Sequence, residues 1–130
     1  MPARTIFLAS AFLAVAVPLH GQTAGAGGAG APTAAVLARG DSVYHGAGNC
    51  YACHGSKGEG LVGPSLIDVE WIHSKGTPEE IAAQVTKGIP KEQSKSGIPM
   101  PPKGGSTISD EDVKAVAAYV HSLSQKKPGT

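Results

Sequence analysis

Large aromatic side chains are nearly missing from this chain. Its 130 residues hold two Phe, three Tyr and one Trp. Both Phe, at positions 7 and 12, lie at the extreme N-terminus, so whatever folds downstream does so without any. A domain this small and this poor in aromatics struggles to build a core from protein alone, and a large apolar cofactor would fill the deficit. Cysteine is also scarce. Two of them exclude a disulfide-stapled scaffold. Excess charge is missing as well: Lys and Arg number 11 against 10 Asp and Glu, for a net charge of +1. No basic face for nucleic acid is implied. Alternating apolar and polar runs are absent, and Gly and Pro interrupt the chain often, which argues against strands. No internal repeat is present.

The N-terminus reads as an export signal. Arg4 is followed by a largely apolar run from Ile6 to Val17, and Pro18 ends it. That is signal-peptide length, short for a bilayer span. Residues 1–21 are therefore expected to be a cleaved leader, placing the protein in the periplasm or otherwise outside the cytoplasm. Membrane attachment follows only if the leader stays uncleaved. Residues 22–32 are mostly Gly and Ala and read as a linker. Residues 33–125 are the expected folded domain, and 126–130 a tail.

Helices carry that domain. Val36, Gly40, Val43 and Tyr44 fall along one side of a first helix. Thr77-Pro78-Glu79-Glu80 has the form of a capping box, opening a helix that turns Ile81 and Val85 inward and stops at Gly88. The last helix is the plainest. Ser109 caps it, and Asp110, Glu111 and Asp112 suit its dipole. Val113, Val116, Ala117, Val120 and Leu123 recur at helical spacing. Long Gly-, Pro- and Lys-rich loops lie between. The class is all-α, about four helices with long loops that need something to wrap.

Cys50-Tyr51-Ala52-Cys53-His54 is the chemical motif. At spacing i, i+3, i+4 the two thiols and the imidazole share one face of a helix. Two thiols can bond the vinyl groups of one porphyrin edge while the adjacent His reaches the iron. This is the C-x-x-C-H pattern of covalent haem attachment. Three readings compete. A structural zinc site needs four ligands, and the other downstream His (His45, His73, His121) lack the spacing to complete one. A thioredoxin-like pair needs a βαβ context. A Cys50–Cys53 disulfide would close too short a loop to stabilise much.

The iron then needs a sixth ligand or an open site. Met100 is the only Met beyond position 1, set in Gly97-Ile98-Pro99-Met100-Pro101-Pro102. Its thioether favours reduced iron, and the prolines hold the segment extended. A gap-filling core Met is the duller reading. His45, His73 or His121 would give bis-His ligation instead, though each reads more simply as a surface His.

Taken together, these residues resemble a class I cytochrome c of bacterial type, with one haem and His/Met ligation, over about Val36 to Ser124. The resemblance implies the small cytochrome c fold wrapped around one covalently bound haem c. It implies attachment through Cys50 and Cys53, with His54 and Met100 as iron ligands. Gly40, Tyr44 and Tyr119 look like the family's pattern where first and last helices cross. Gly63-Pro64 looks like the loop whose carbonyl accepts the Nδ1–H of the haem His, and Trp71 like the aromatic that packs on the haem. The stretch 90–96 ahead of the Met is longer and more polar than in the smallest members. The implied role is a monomeric, non-enzymatic one-electron carrier between a donor and an acceptor redox protein, such as respiratory complexes. Lys57, Lys91, Lys95 and Lys103 are expected near the exposed haem edge as a docking face. A subunit tethered to a dehydrogenase or oxidase, and a haem enzyme or gas sensor with an open sixth position, are the rival classes.

Overall fold

The computed structural model describes residues 30–125. The leader, most of the linker, and the tail at 126–130 lie outside the described residues.

Among the described residues the architecture is helical, with no strand beyond one isolated bridge between Ile89 and Met100. Helix α1 spans Ala34–His45, α2 spans Tyr51–His54, α3 spans Pro78–Lys87 and α4 spans Asp110–Gln125. Each longer helix starts where its cap is. The Thr33 hydroxyl accepts from Val36 N–H at 3.3 Å. Thr77 accepts from Glu80 N–H at 3.3 Å while the Glu80 carboxylate reaches back to Thr77 N–H, a complete capping box. Ser109 Oγ accepts from Asp112 N–H at 3.1 Å, and Asp112 Oδ2 accepts from Ser109 N–H at 3.2 Å. Of the loop segments read as irregular from sequence, Lys91–Gln93 forms a short 3₁₀ turn, and Pro102–Gly105 forms a tight turn in which Lys103 and Gly104 take left-handed φ values of 52° and 67°.

Helices α1 and α4 cross at Gly40. A methyl group there would overlap the Ala115 carbonyl and come within 2.6 Å of Tyr119 Cβ. Without it the backbones meet and the Tyr44 and Tyr119 rings pack 5.5 Å apart. The core is the inward face of α4 (Val113, Val116, Ala117, Val120) against Val43 and Tyr44 of α1 and Ile81 and Val85 of α3. Val36 departs from the expected stripe and is 38% exposed, because it sits a turn ahead of the crossing. Arg39 pairs with Asp112 at 2.8 Å on the rim of the crossing.

Candidate cofactor site

The site begins with how α2 is set beside α1. Asn49 takes a left-handed φ of 50° to turn the chain between them. Cys50 N–H then bonds the Tyr44 carbonyl at 3.1 Å, and His54 N–H bonds the Cys50 carbonyl at 3.0 Å, closing the single turn that carries the motif. From α1, Tyr44 donates its hydroxyl to the Gly55 carbonyl at 2.8 Å. His45 Nε2 lies 2.7 Å from the Ser56 carbonyl. Two side chains of one helix thus hold the backbone just past His54.

The loop that follows folds back over the motif. Gly63 N–H bonds the Cys53 carbonyl at 2.9 Å, and His54 Nδ1 lies 2.9 Å from the Pro64 carbonyl. A carbonyl only accepts, so Nδ1 carries the proton and Nε2 is left with its lone pair free. Gly63 lies against the ring; a Cβ there would stand 2.9 Å from His54 Cε1. Burial pushes the His54 pKa below the ordinary imidazole range, with the Pro64 carbonyl opposing. The neutral form so favoured is the one that ligates metals. Cys50 and Cys53 are free thiols, Cys50 half-buried and Cys53 exposed. Burial pushes the Cys50 thiol up to about 11.

Met100 stands on the other wall. Ile89 N–H bonds the Met100 carbonyl at 2.8 Å and Met100 N–H bonds the Ile89 carbonyl at 2.9 Å, so the methionine is pinned to the end of α3. Gly88 permits this. Its φ of 74° suits glycine, and a Cβ would lie 2.5 Å from the Met100 carbonyl.

Between these walls runs a crevice in two parts. Both parts open to solvent. The outer has a volume of about 150 Å³. The inner has about 50 Å³ and reaches the core at Val116 and Val120. Cys50, His54, Gln84 and Met100 line both. Cys53 and Pro64 line the outer part, and Trp71 the inner. Gln84 was passed over in reading the sequence. Its signal was a polar residue on the inward stripe of α3, between Ile81 and Val85.

Among the other described histidines, His45 and His121 line neither part, and His73 lines the outer one. His121 is not the polar-side surface residue expected: it is half-buried, with Nδ1 2.8 Å from the Gly76 carbonyl. The docking face also needs correction. Lys103 turns away to bond Asp110 at 2.8 Å and the Ile108 carbonyl at 2.9 Å, so its charge is neutralised at the start of α4. Among the described residues no group of three or more His, Cys, Asp or Glu side chains could hold a metal ion, so the zinc reading finds no ligand set.

Comparison with known proteins decides the family. The family model described as "Cytochrome C oxidase, cbb3-type, subunit III" matches residues 35–120. The chain belongs to this family of class I c-type cytochromes. Its relatives include the cbb3-type cytochrome c oxidase subunit CcoP of Rubrivivax gelatinosus, 39% identical over 68% of this chain and 26% of that protein. The subunit FixP of Azorhizobium caulinodans is 38% identical over 72% of this chain and 32% of that protein. Cytochrome c6 of Synechocystis is 38% identical over 72% of this chain and 70% of that protein. The cytochrome thus spans about a quarter to a third of the oxidase subunits it matches. No solved structure gives a significant match.

The family implies haem c, and the crevice of this cytochrome fits it. Two free thiols on one wall, an imidazole with Nε2 unengaged, and a thioether across an apolar chamber form a donor set suited to covalently held haem iron.

Proposed function

We propose that this cytochrome is an exported one-electron carrier for one haem c, which Cys50 and Cys53 would hold covalently and whose iron His54 and Met100 would ligate. The observation that carries this reading is that Cys50, His54 and Met100 all line both parts of one crevice. Bound haem supplies an iron that cycles between two oxidation states one electron apart.

The chain's own residues do the rest. Pro64 fixes the imidazole and its tautomer, which sets the basicity of the ligating nitrogen. The Ile89–Met100 backbone pair fixes where the Met100 main chain meets the crevice. Val85, Val116 and Val120 give the inner chamber apolar walls, which would lower the cost of reorganisation on electron transfer. His54 and Met100 would together hold the iron and leave small gases no place on it, which supports transfer over turnover of a substrate. The partners are a donor and an acceptor redox protein.

Acid-acetone extraction should leave the haem on the denatured polypeptide; its release would sink covalent attachment. In Met100→Ala the ferric sulfur-to-iron absorption band should vanish and carbon monoxide should bind at neutral pH. A band that persists would remove Met100 from the iron and turn attention to His73, the other candidate on the crevice rim. A second role, a haem subunit of an oxidase, is favoured by the relatives that carry that name. Co-purification with an oxidase from native membranes, against recovery in the soluble exported fraction, separates the two.

A further inference from the structure

The loop bearing Trp71 is held in an unusual way. Among the described residues, positions 67–76 take part in no backbone-to-backbone hydrogen bond. Their polar contacts are local, such as Gly76 N–H to Ser74 Oγ at 3.2 Å and Lys75 N–H to the Glu80 carboxylate at 2.9 Å. One bond reaches far along the chain. His121, in the last turns of α4, meets the Gly76 carbonyl at 2.8 Å. Since that oxygen only accepts, His121 donates from Nδ1.

Gly76 is buried at φ +79°, and the Trp71 indole lies against it: a Cβ there would collide with Nε1, Cε2 and Cδ1 of the ring. Trp71 in turn forms part of the inner crevice wall, together with His54 and Met100. The chain of contact is therefore α4, His121, Gly76, Trp71, inner chamber. We propose that His121 is the positioning residue for Trp71 and, through it, for the closure of the inner chamber. The redox consequence rests on the haem reading above; the contact itself does not. A loosened Trp71 admits water, which favours the more highly charged oxidised site, so the midpoint potential falls.

Trp71 is the only Trp in the chain, so its emission reports this wall alone. The test compares purified holoprotein of the parent with His121→Phe, His121→Ala and His121→Asn. The two variants without a donor should show Trp71 emission raised several-fold, because it moves away from the haem that quenches it. Amide exchange at Lys75, Gly76 and Thr77, whose N–H groups are bonded, should quicken about five-fold, the equivalent of one lost hydrogen bond, and the potential should fall. His121→Asn, with a side-chain amide near the position of Nδ1, should return all three toward the parent. Unchanged exchange and potential in the donor-less variants overturn the proposal, as does an Asn variant no better than Phe. Failure of both donor-less variants to fold would assign His121 to the core instead, and equally overturn it. If the parent carries no covalent haem, the cofactor reading fails separately; the Trp71 emission maximum and the exchange rates still judge the contact.

Discussion

At the α1–α4 crossing every contact is protein on protein: Gly40 against Ala115, Tyr44 against Tyr119, Arg39 paired with Asp112. On the Met100 side of the crevice the chain is pinned by two backbone bonds to Ile89 and Met100 packs on the edge of the core, while Ile72 and Ile98 along the crevice are 45% and 51% exposed. The crossing is closed by complementarity between helices. The Met100 wall is a loop fastened at a few points beside an apolar crevice. The two regions should accordingly respond to damage in different ways, one through global stability and the other through ligation.

Gly40→Val makes the sharpest cut. The added carbon overlaps the Ala115 carbonyl, and the helices must separate, at a cost of about 3 kcal/mol or more. Urea unfolding followed by far-ultraviolet circular dichroism should show that loss; a midpoint within error of the parent would mean that the crossing is not the rigid half. Gly88→Ala is the matching cut on the other side. It puts alanine at φ +74° with its Cβ 2.5 Å from the Met100 carbonyl, for about 1–3 kcal/mol of local strain. Here the sulfur-to-iron band should disappear at a lower urea concentration than the helical signal. If both are lost together, the two regions are one cooperative unit and the contrast is wrong.

Tyr44→Phe tests the link between the halves. It removes the bond to the Gly55 carbonyl and should cost about 1 kcal/mol. Both the band and the helical signal should move by that amount. The smallest effect belongs to His45. The Ser56 carbonyl raises its pKa above the ordinary 6.5, with the carbonyl and carboxylate of Asp41 adding to it. A raised folded-state pKa means that the contribution is whole below about pH 6.5 and fades as pH rises through the higher value. The side chain is exposed, so after solvent screening the amount is about 0.2–0.5 kcal/mol. His45→Gln should flatten the parent's stability profile across that window, and parallel profiles would dismiss the effect.

Local signals made the helices legible. Thr77 with Glu80 and Ser109 with Asp112 are short-range hydrogen-bonding patterns, visible without knowing what lies across the molecule. The spacing of Cys50, Cys53 and His54 was equally local. The crossing at Gly40 and the Pro64 carbonyl beside His54 were legible only through resemblance to a family, since nothing near them in the chain announces a contact made 75 or ten residues away. His121 and Lys103 were misjudged for the same reason. Each looks solvent-facing within its own segment, and each finds its partner on another. Val36 erred the other way, because periodicity marks a face but not where along it the neighbour begins.

The paired hydrogen bonds between Ile89 and Met100 form a neck, and the chain from Pro90 to Pro99 loops out from it and back, with Ser94, Lys95, Ser96, Ile98 and Pro99 along the outer crevice. A loop tied at its base can lengthen, shorten or change character without moving what is fastened at the knot. A change of length at 90–93, which lines no part of the crevice, is therefore expected to leave Met100 in place.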